Sequence, residues 1–148
     1  MQSIKEYLTH EHRECDEIFA AMEAKASSSL EEAAPLVDSF VAEMEKHFQK
    51  EEKVMFLEFE TKTGMTMGPT QMMRQEHAQM RNLMEQLKES VANENKEKFF
   101  GLAETLMILL QQHNMKEEQM LYTMAQQHLS AEAPRIITMM DALIVTEQ

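Results

Sequence analysis

Apolar residues recur at helical spacing along most of the chain, and short polar or Gly- and Pro-containing segments interrupt them. Positions three, four and seven apart share one face of a helix. The interruptions divide the chain into four long helical segments and one short one. We predict these segments over residues 3–26, 35–60, 69–95, 96–128 and 135–145. Pro35 and Pro69 are each placed in a first helical turn, where proline is favoured.

Long helices joined by short segments predict an all-α fold, an up-down antiparallel four-helix bundle with a short C-terminal helix. The 148 residues are enough for one compact domain, so we expect a single domain over residues 1–148. The abundance of Ala, Leu, Met, Glu, Gln and Lys agrees with a helical protein. The apolar C-terminal segment is expected either to cover the bundle or to pair with a second chain.

Charge and cysteine content narrow the possible partners and the compartment. The formal net charge is −12 and basic residues do not cluster, which argues against nucleic acid and anionic membranes as partners. A single cysteine, Cys15, excludes an internal disulfide and fits a reducing compartment. The N-terminal residues are too polar for a signal peptide, and no apolar window approaches the length of a membrane span. We therefore expect a cytoplasmic protein.

Each of the four long helices turns one histidine toward its apolar face. These histidines are His12, His47, His77 and His113. The second and fourth helices add an inward glutamate one turn after the histidine, Glu51 and Glu117, in a repeated H-x-x-K-E-E pattern. Residues four apart differ by about 40° around a helix and about 6 Å along it, so both side chains can reach one centre.

A carboxylate in an apolar core is costly unless it is paired or coordinates a metal. Helical spacing places Lys50, Lys53 and Lys116 on outer faces, so no inward cation is expected beside either glutamate. The pattern therefore predicts a metal site, against the alternative of a purely structural polar network. Nitrogen and oxygen donors without an obligatory thiolate suit iron or manganese, with zinc possible.

The donor set also suggests how a metal pair would be filled. Two glutamates from opposite helices are similar to the bridging carboxylates of di-iron bundles. With four imidazoles, two bridging carboxylates and a bridging oxygen, two six-coordinate ions would keep about one open position each. Open positions on reduced iron bind small gases or oxidants.

Several neighbours of these residues could support the centre. Glu52 and Glu118 are expected to be solvated or to orient a ligating histidine. Asp16 is interpreted as a boundary residue, with a role as hydrogen-bond acceptor as the alternative. Tyr122 could donate to a buried acceptor, and Tyr7 is less well placed.

Sulfur-containing residues are prominent, with 16 methionines in the chain and four of them in the segment GMTMGPTQMM. They could form a Cu(I) thioether site or an oxidation-sensitive lid. We favour adaptable core packing and an apolar cap over one end of the bundle. Cys15, one turn after His12, is interpreted as a small buried thiol, with a redox or ligand role as the alternative.

Four stretches of the chain resemble the hemerythrin-like, or HHE cation-binding, domain family across essentially the whole length. They are EHRECDEIF, HFQKEE, QEHAQM and HNMKEEQMLY. The resemblance implies a left-handed four-helix bundle around two non-haem iron ions joined by an oxo or hydroxo bridge. By motif, the ligands would be His12, His47, Glu51, His77, His113 and Glu117.

Two departures distinguish the chain from oxygen-carrying hemerythrins. Those proteins place a second histidine one turn after the third-helix histidine, where this chain has Arg81, and their fourth-helix carboxylate is an aspartate at longer spacing. The four-His, two-Glu set is similar to iron–sulfur-cluster repair proteins and to iron-sensing hemerythrin-like domains. We expect a protein that binds or reacts with O2, NO or peroxide, in sensing, storage or detoxification. The alternatives are a cluster-repair or NO-reducing di-iron enzyme and a non-catalytic iron- or redox-dependent interaction module.

Overall fold

The computed structural model describes residues 2–146, and its regular elements within that range are helical. The seven α-helices are α1 (Ile4–Ser28), α2 (Leu30–Lys50), α3 (Phe56–Thr63), α4 (Pro69–Ala92), α5 (Lys96–Lys116), α6 (Tyr122–Leu129) and α7 (Ala133–Asp141). A π-helical turn, Glu51–Met55, joins α2 to α3, and a second, Glu117–Leu121, joins α5 to α6. A 3-10 turn, Ser130–Glu132, precedes α7. Met1, Glu147 and Gln148, which the expected domain includes, lie outside the described residues.

The joined helices form an antiparallel four-helix bundle of α1, α2–α3, α4 and α5–α6. Packing runs in a ring, from α1 to α2, from α2 to α4, from α4 to α5, and from α6 back to α1. The short helix α7 packs on the end of the bundle formed by the start of α1, by α3 and by α6. The predicted fold class, with its short C-terminal helix, is confirmed.

The start of the second long helix differs from the sequence prediction. The helix begins at Leu30, because the Ser29 side chain accepts the Glu32 amide and caps it. Pro35 lies inside α2 instead of opening it, so that prediction was wrong. Pro69 does lie in the first turn of α4, as predicted. Ser29 also ends α1, so the joint between the first two helices is a single residue.

Two apolar clusters fill the bundle, one toward each end. The first contains Phe19, Phe40 and Leu106 and extends to the α1–α2 and α4–α5 joints. The second contains residues of α3, α6 and α7, among them Phe59 and Ile136. Along α1, Leu8 belongs to the second cluster and Cys15 to the first, so the turn between them lies at the boundary of the two clusters. Any polar site at that level is enclosed by apolar side chains on both sides.

The methionine-rich segment and the C-terminal segment both contribute to the second cluster. Met65 packs partly against it and Met73 is buried in it, whereas Met67 and Met72 are 78% and 51% exposed. Two of the four methionines in this segment therefore pack against the core, and the other two are exposed to solvent. The C-terminal helix α7 covers the bundle through buried residues that include Met140. Among the helices of residues 2–146, none has the length and apolar character needed to cross a membrane.

Candidate metal centre

The structure brings all six of the predicted site residues together between the two apolar clusters. They are His12 on α1, His47 on α2, His77 on α4, His113 on α5, and Glu51 and Glu117 at the starts of the two π-helical turns. Each is at most 4% exposed. Their donor atoms form two groups, each with all atoms within 4.8 Å of one another, and Glu117 belongs to both. The other two histidines, His10 and His128, are exposed.

The two glutamates occupy equivalent positions in their helices. Glu51 and Glu117 are each the first residue of a π-helical turn. Such a turn adds one residue per turn relative to an α-helix, so side chains beyond it are shifted around the axis. Met120 lies seven residues after His113 and three after Glu117, so α-helical spacing would place it on the buried face. It is 58% exposed, while Leu121 and Tyr122 are both buried. Sequence reasoning missed both π-helical turns.

Each histidine donates its Nδ1–H to a carboxylate supplied by a neighbouring helix, at 2.7 to 2.9 Å. The pairs are His47 with Glu11, His77 with Glu52, His113 with Glu76, and His12 with Glu118. They form a closed cycle around the bundle, because every helix holds the histidine of the next one. Such a bond fixes the tautomer and turns the Nε2 lone pair inward, as in metal-ligating histidines generally.

The sequence indicates this cycle through acidic residues that adjoin the predicted ligands, and two of the four were identified from it. Glu52 and Glu118 orient histidines, which is one of the two roles expected for them. Glu11 and Glu76 were missed, although each directly precedes a site histidine in an E-H dipeptide. An acidic residue therefore adjoins a predicted ligand in every long helix. Asp16 is exposed, in agreement with its interpretation as a boundary residue.

The prediction that Lys50 lies on an outer face was wrong. Lys50 is only 4% exposed, because its ammonium group binds Glu11 and the Tyr7 hydroxyl. Lys53 and Lys116 are exposed, as expected. The buried ammonium pairs with the carboxylate that holds His47, so it does not neutralise Glu51. Glu51 therefore gains no neutralising charge from Lys50.

The surroundings of the centre shift the pKa values of its residues in the metal-free chain. Burial acts to lower the pKa of His47, but the Glu51 charge and the Glu11 hydrogen bond outweigh it and raise the pKa to about 10. Burial acts to raise the pKa of Glu52, yet hydrogen bonds from His77 and Arg81 lower it to about 2. A metal ion at the centre would displace protons from the imidazoles.

Four buried side-chain atoms of the centre have no hydrogen-bond partner among the described residues. They are Glu51 Oε1, His77 Nε2, His113 Nε2 and Glu117 Oε2. His77 Nε2 lies 3.1 Å from Glu51 Oε1, and His113 Nε2 lies 3.1 Å from Glu117 Oε1. Polar atoms left without a partner in an interior cost free energy, and such sites call for an ion or water. The donors and their inward direction fit a metal ion.

The hydroxyl of Tyr122 reaches into the same centre. It donates to Glu51 Oε2 at 2.7 Å and lies 3.0 Å from Glu117 Oε1, which confirms the expectation of a buried acceptor. Burial, followed by the charges of Glu117 and Glu51, raises the pKa of the Tyr122 phenol well above its usual value. Tyr7 donates instead to Asp141 at 2.6 Å, outside the centre.

A comparison with known protein families agrees with this geometry. The family described as hemerythrin HHE cation-binding domain matches residues 3–125, which include all six site residues and the four carboxylates of the cycle. No curated protein and no solved structure matches the chain. Because the match covers most of the chain, the protein belongs to the hemerythrin HHE cation-binding family.

Proposed function

We propose that the centre holds two non-haem iron ions and that the loaded protein binds or reacts with O2, NO or peroxide. The six ligands would be His12, His47, Glu51, His77, His113 and Glu117. The biological role would be sensing, storage or detoxification of the reactant. Nitrogen and oxygen donors of this kind also accept manganese and zinc, so metal identity is part of the test.

The observation that carries the proposal is the division of the donors into two overlapping groups. His12 and His47 form one group with Glu117, and the other contains His77, His113 and both glutamates. A carboxylate shared between groups is suited to bridge two ions, as in other carboxylate-bridged bundles. A single ion would leave one pair of imidazoles without a role.

The surroundings favour a small reactant. Apolar clusters enclose the centre on both sides along the bundle axis. A cavity of about 50 Å³ lies beside His113 between α4 and α5, lined also by Glu76 and Lys116. Of the six site residues, His113 is the one that lines this cavity, so the cavity reaches the edge of the centre and not its interior.

Metal analysis of protein purified after iron-replete expression tests the ligand assignment. We expect about two irons per chain, in line with two metals in carboxylate-bridged bundles, and near-ultraviolet absorption typical of paired ferric ions that changes on azide addition. The His77→Ala variant should lose metal. The His10→Ala variant, changed at a histidine 64% exposed outside the centre, should keep it. Equal metal content in the two variants, or a stable wild-type protein without metal, would overturn the assignment.

Rapid mixing of the reduced, loaded protein with O2, NO and H2O2 tests the reactivity. Reversible spectral change indicates binding, and multiple turnovers with an added electron donor indicate an enzyme. If none of the three molecules reacts faster than a buffer control, both reversible binding and enzymatic turnover are excluded. Manganese or zinc found in place of iron would exclude the iron assignment while retaining the ligand set.

A second candidate, a metal-dependent interaction module, is supported by a polar chain that joins the centre to α7. Glu11 holds His47 and also binds Lys50, whose ammonium donates to the Tyr7 hydroxyl at 2.8 Å. Tyr7 in turn donates to Asp141, the last residue of α7. Metal bound by His47 could therefore alter how firmly α7 docks.

Hydrogen exchange of α7 in the metal-loaded and metal-free protein tests this candidate. Slower exchange on metal binding, abolished in a Lys50→Met variant that still binds metal, would support coupling between the centre and α7. The same exchange rate in both forms would exclude α7 as the metal-responsive surface.

A further inference from the structure

The Tyr122 oxygen is surrounded by donor atoms of both glutamates and of the His12–His47 pair. Glu51 Oε2 lies at 2.7 Å, Glu117 Oε1 and His12 Nε2 each at 3.0 Å, and His47 Nε2 at 3.4 Å. The ring stacks on that of His12, with centroids 5.5 Å apart and planes inclined by 27°. The phenol is completely buried and is held in this position by its packing.

These distances are those between neighbouring ligands of one ion. Donor atoms at adjacent corners of an octahedron with metal bonds of about 2.1 Å lie about 3 Å apart. A group that only supports a ligand from behind contacts one ligand, on the side away from the metal. The Tyr122 oxygen instead contacts four ligand atoms, on the side that faces the centre.

We propose that Tyr122 is a seventh ligand of the centre, bound through its phenolate oxygen to the ion held by His12 and His47. This inference rests on the proposed iron-binding function. When a ferric ion binds, the phenol O–H bond breaks, an oxygen–iron bond forms and the proton is released to solvent, without electron transfer. A bound cation is the largest local charge and reverses the preference of a buried acid for its neutral form.

The two ions would then differ in whether each has an open coordination position. Among the described residues, the four atoms of the centre without hydrogen-bond partners belong to residues of the group that contains His77 and His113. The histidines that Tyr122 contacts are the two of the other group, His12 and His47. A seventh ligand at the His12–His47 ion closes the open position there. The reactant would consequently bind at the His77–His113 ion.

The two tyrosines of the chain allow a clean spectroscopic test. Phenolate bound to ferric iron gives a visible charge-transfer band, and Raman excitation in that band enhances tyrosine ring vibrations. In the Tyr7→Phe variant Tyr122 is the one tyrosine left, so any enhanced ring vibration comes from Tyr122. The band should be present in the wild type and in Tyr7→Phe. It should be absent from a Tyr122→Phe variant that carries the wild-type amount of iron.

The possible outcomes distinguish a failure of this inference from a failure of the proposed iron-binding function. Iron-loaded wild type and Tyr7→Phe without the band would overturn the seventh ligand and leave the proposed function intact. Absence of bound metal would overturn both. If Tyr122→Phe fails to fold, ring-deuterated tyrosine in the Tyr7→Phe variant replaces it. An isotope shift of the enhanced vibrations then supports the inference, and vibrations that do not shift refute it.

Discussion

Arg81 donates two hydrogen bonds to the carboxylate of Glu52, at 2.8 and 3.0 Å, and that carboxylate accepts the Nδ1–H of His77. The arginine also binds Glu45 through two further hydrogen bonds and lies over the ring of Phe48. Arg81 lies one turn after His77, where the resemblance to oxygen-carrying hemerythrins would place a second histidine. Here it fixes the position of His77 through Glu52, so its contribution to the centre is indirect.

Replacing Arg81 by methionine should weaken metal binding without removing a ligand. Glu52 would lose the two hydrogen bonds that hold it, and the ring of His77 would become less constrained. Loss of such an outer partner costs about 10- to 100-fold in metal affinity. Competition with a chelator of known affinity measures the change.

Arg74→Met is the matched control for that experiment. Arg74 lies on the same helix, binds the carboxylate of Glu60 through two nitrogens and lies over the ring of Phe56. It shares with Arg81 the helix, a carboxylate bound through two nitrogens and a phenylalanine ring, whereas Glu60 is not one of the four carboxylates that hold a histidine. An equal loss of metal affinity in the two variants would show a general effect on helix α4 and contradict the role assigned to Arg81.

Glu118 and Asp16 provide a second comparison. From the sequence, Glu118 was a candidate to orient a ligating histidine and Asp16 a candidate hydrogen-bond acceptor. Glu118 accepts the Nδ1–H of His12 at 2.7 Å, whereas Asp16 is exposed. Glu118→Ala should lower metal affinity by about 10-fold or more, and Asp16→Ala should leave it unchanged. The same chelator competition applies. A larger effect from Asp16 than from Glu118 would be incompatible with the observed hydrogen bond.

The inward direction of the six site residues was predictable because helical periodicity is a local property. His12, His47 and His77 lie within undistorted α-helices, where neighbours three and four residues away report the buried face reliably. Glu51 and Glu117 come one turn after a histidine, just as the irregular turns begin. Their direction could therefore still be deduced from α-helical spacing.

The features that the sequence did not predict depend on irregular helical turns, on contacts between helices and on helix capping. The π-helical turns shift Met120 outward, and an α-helical projection has no means of anticipating that shift. Lys50 is buried because Glu11 and Tyr7 of a different helix receive its ammonium group. Pro35 was misplaced because the cap provided by Ser29 lies six residues earlier and dominates the helix start.

The buried thiol of Cys15 should be unreactive in the folded protein. It is 5% exposed, and burial, followed by the negative charge of Glu11, raises its pKa to about 12. Since the thiolate is the reactive species, its population near neutral pH is about a thousandfold below that of a free cysteine. Iodoacetamide should label the native protein negligibly and the denatured protein fully. Rapid labelling of native protein would contradict the burial.

The metal-free protein should lose stability at alkaline pH more steeply than the loaded protein. The pKa of His47 is raised to about 10 in the folded, metal-free chain, from about 6.5 in an unfolded one. Its contribution is therefore fully present below about pH 6.5 and is lost as the pH rises through about 10. If His47 binds metal through Nε2, as proposed, that atom would carry no proton in the loaded protein, and this loss would not occur.

Guanidinium unfolding of both forms at about pH 7 and about pH 9.5 measures the difference. Groups outside the centre titrate alike in the two forms, and comparing the forms removes their contribution. The free energy of unfolding should fall further for the metal-free protein. Parallel declines would show that no imidazole of the centre holds a proton in the metal-free state.

Removal of metal should destabilise the protein in a way that depends on Glu117. A ligand that binds only the folded chain stabilises it by about 4 kcal/mol at a thousand times its Kd. For a chain of 148 residues this corresponds to a fall in Tm of about 10 °C when metal is removed. Glu117→Gln should abolish most of that difference, because Glu117 belongs to both donor groups. Glu104→Gln, at an exposed glutamate of α5, should preserve it. Calorimetry with and without metal measures all three proteins, and a Tm difference retained in Glu117→Gln would exclude Glu117 as a bridging ligand.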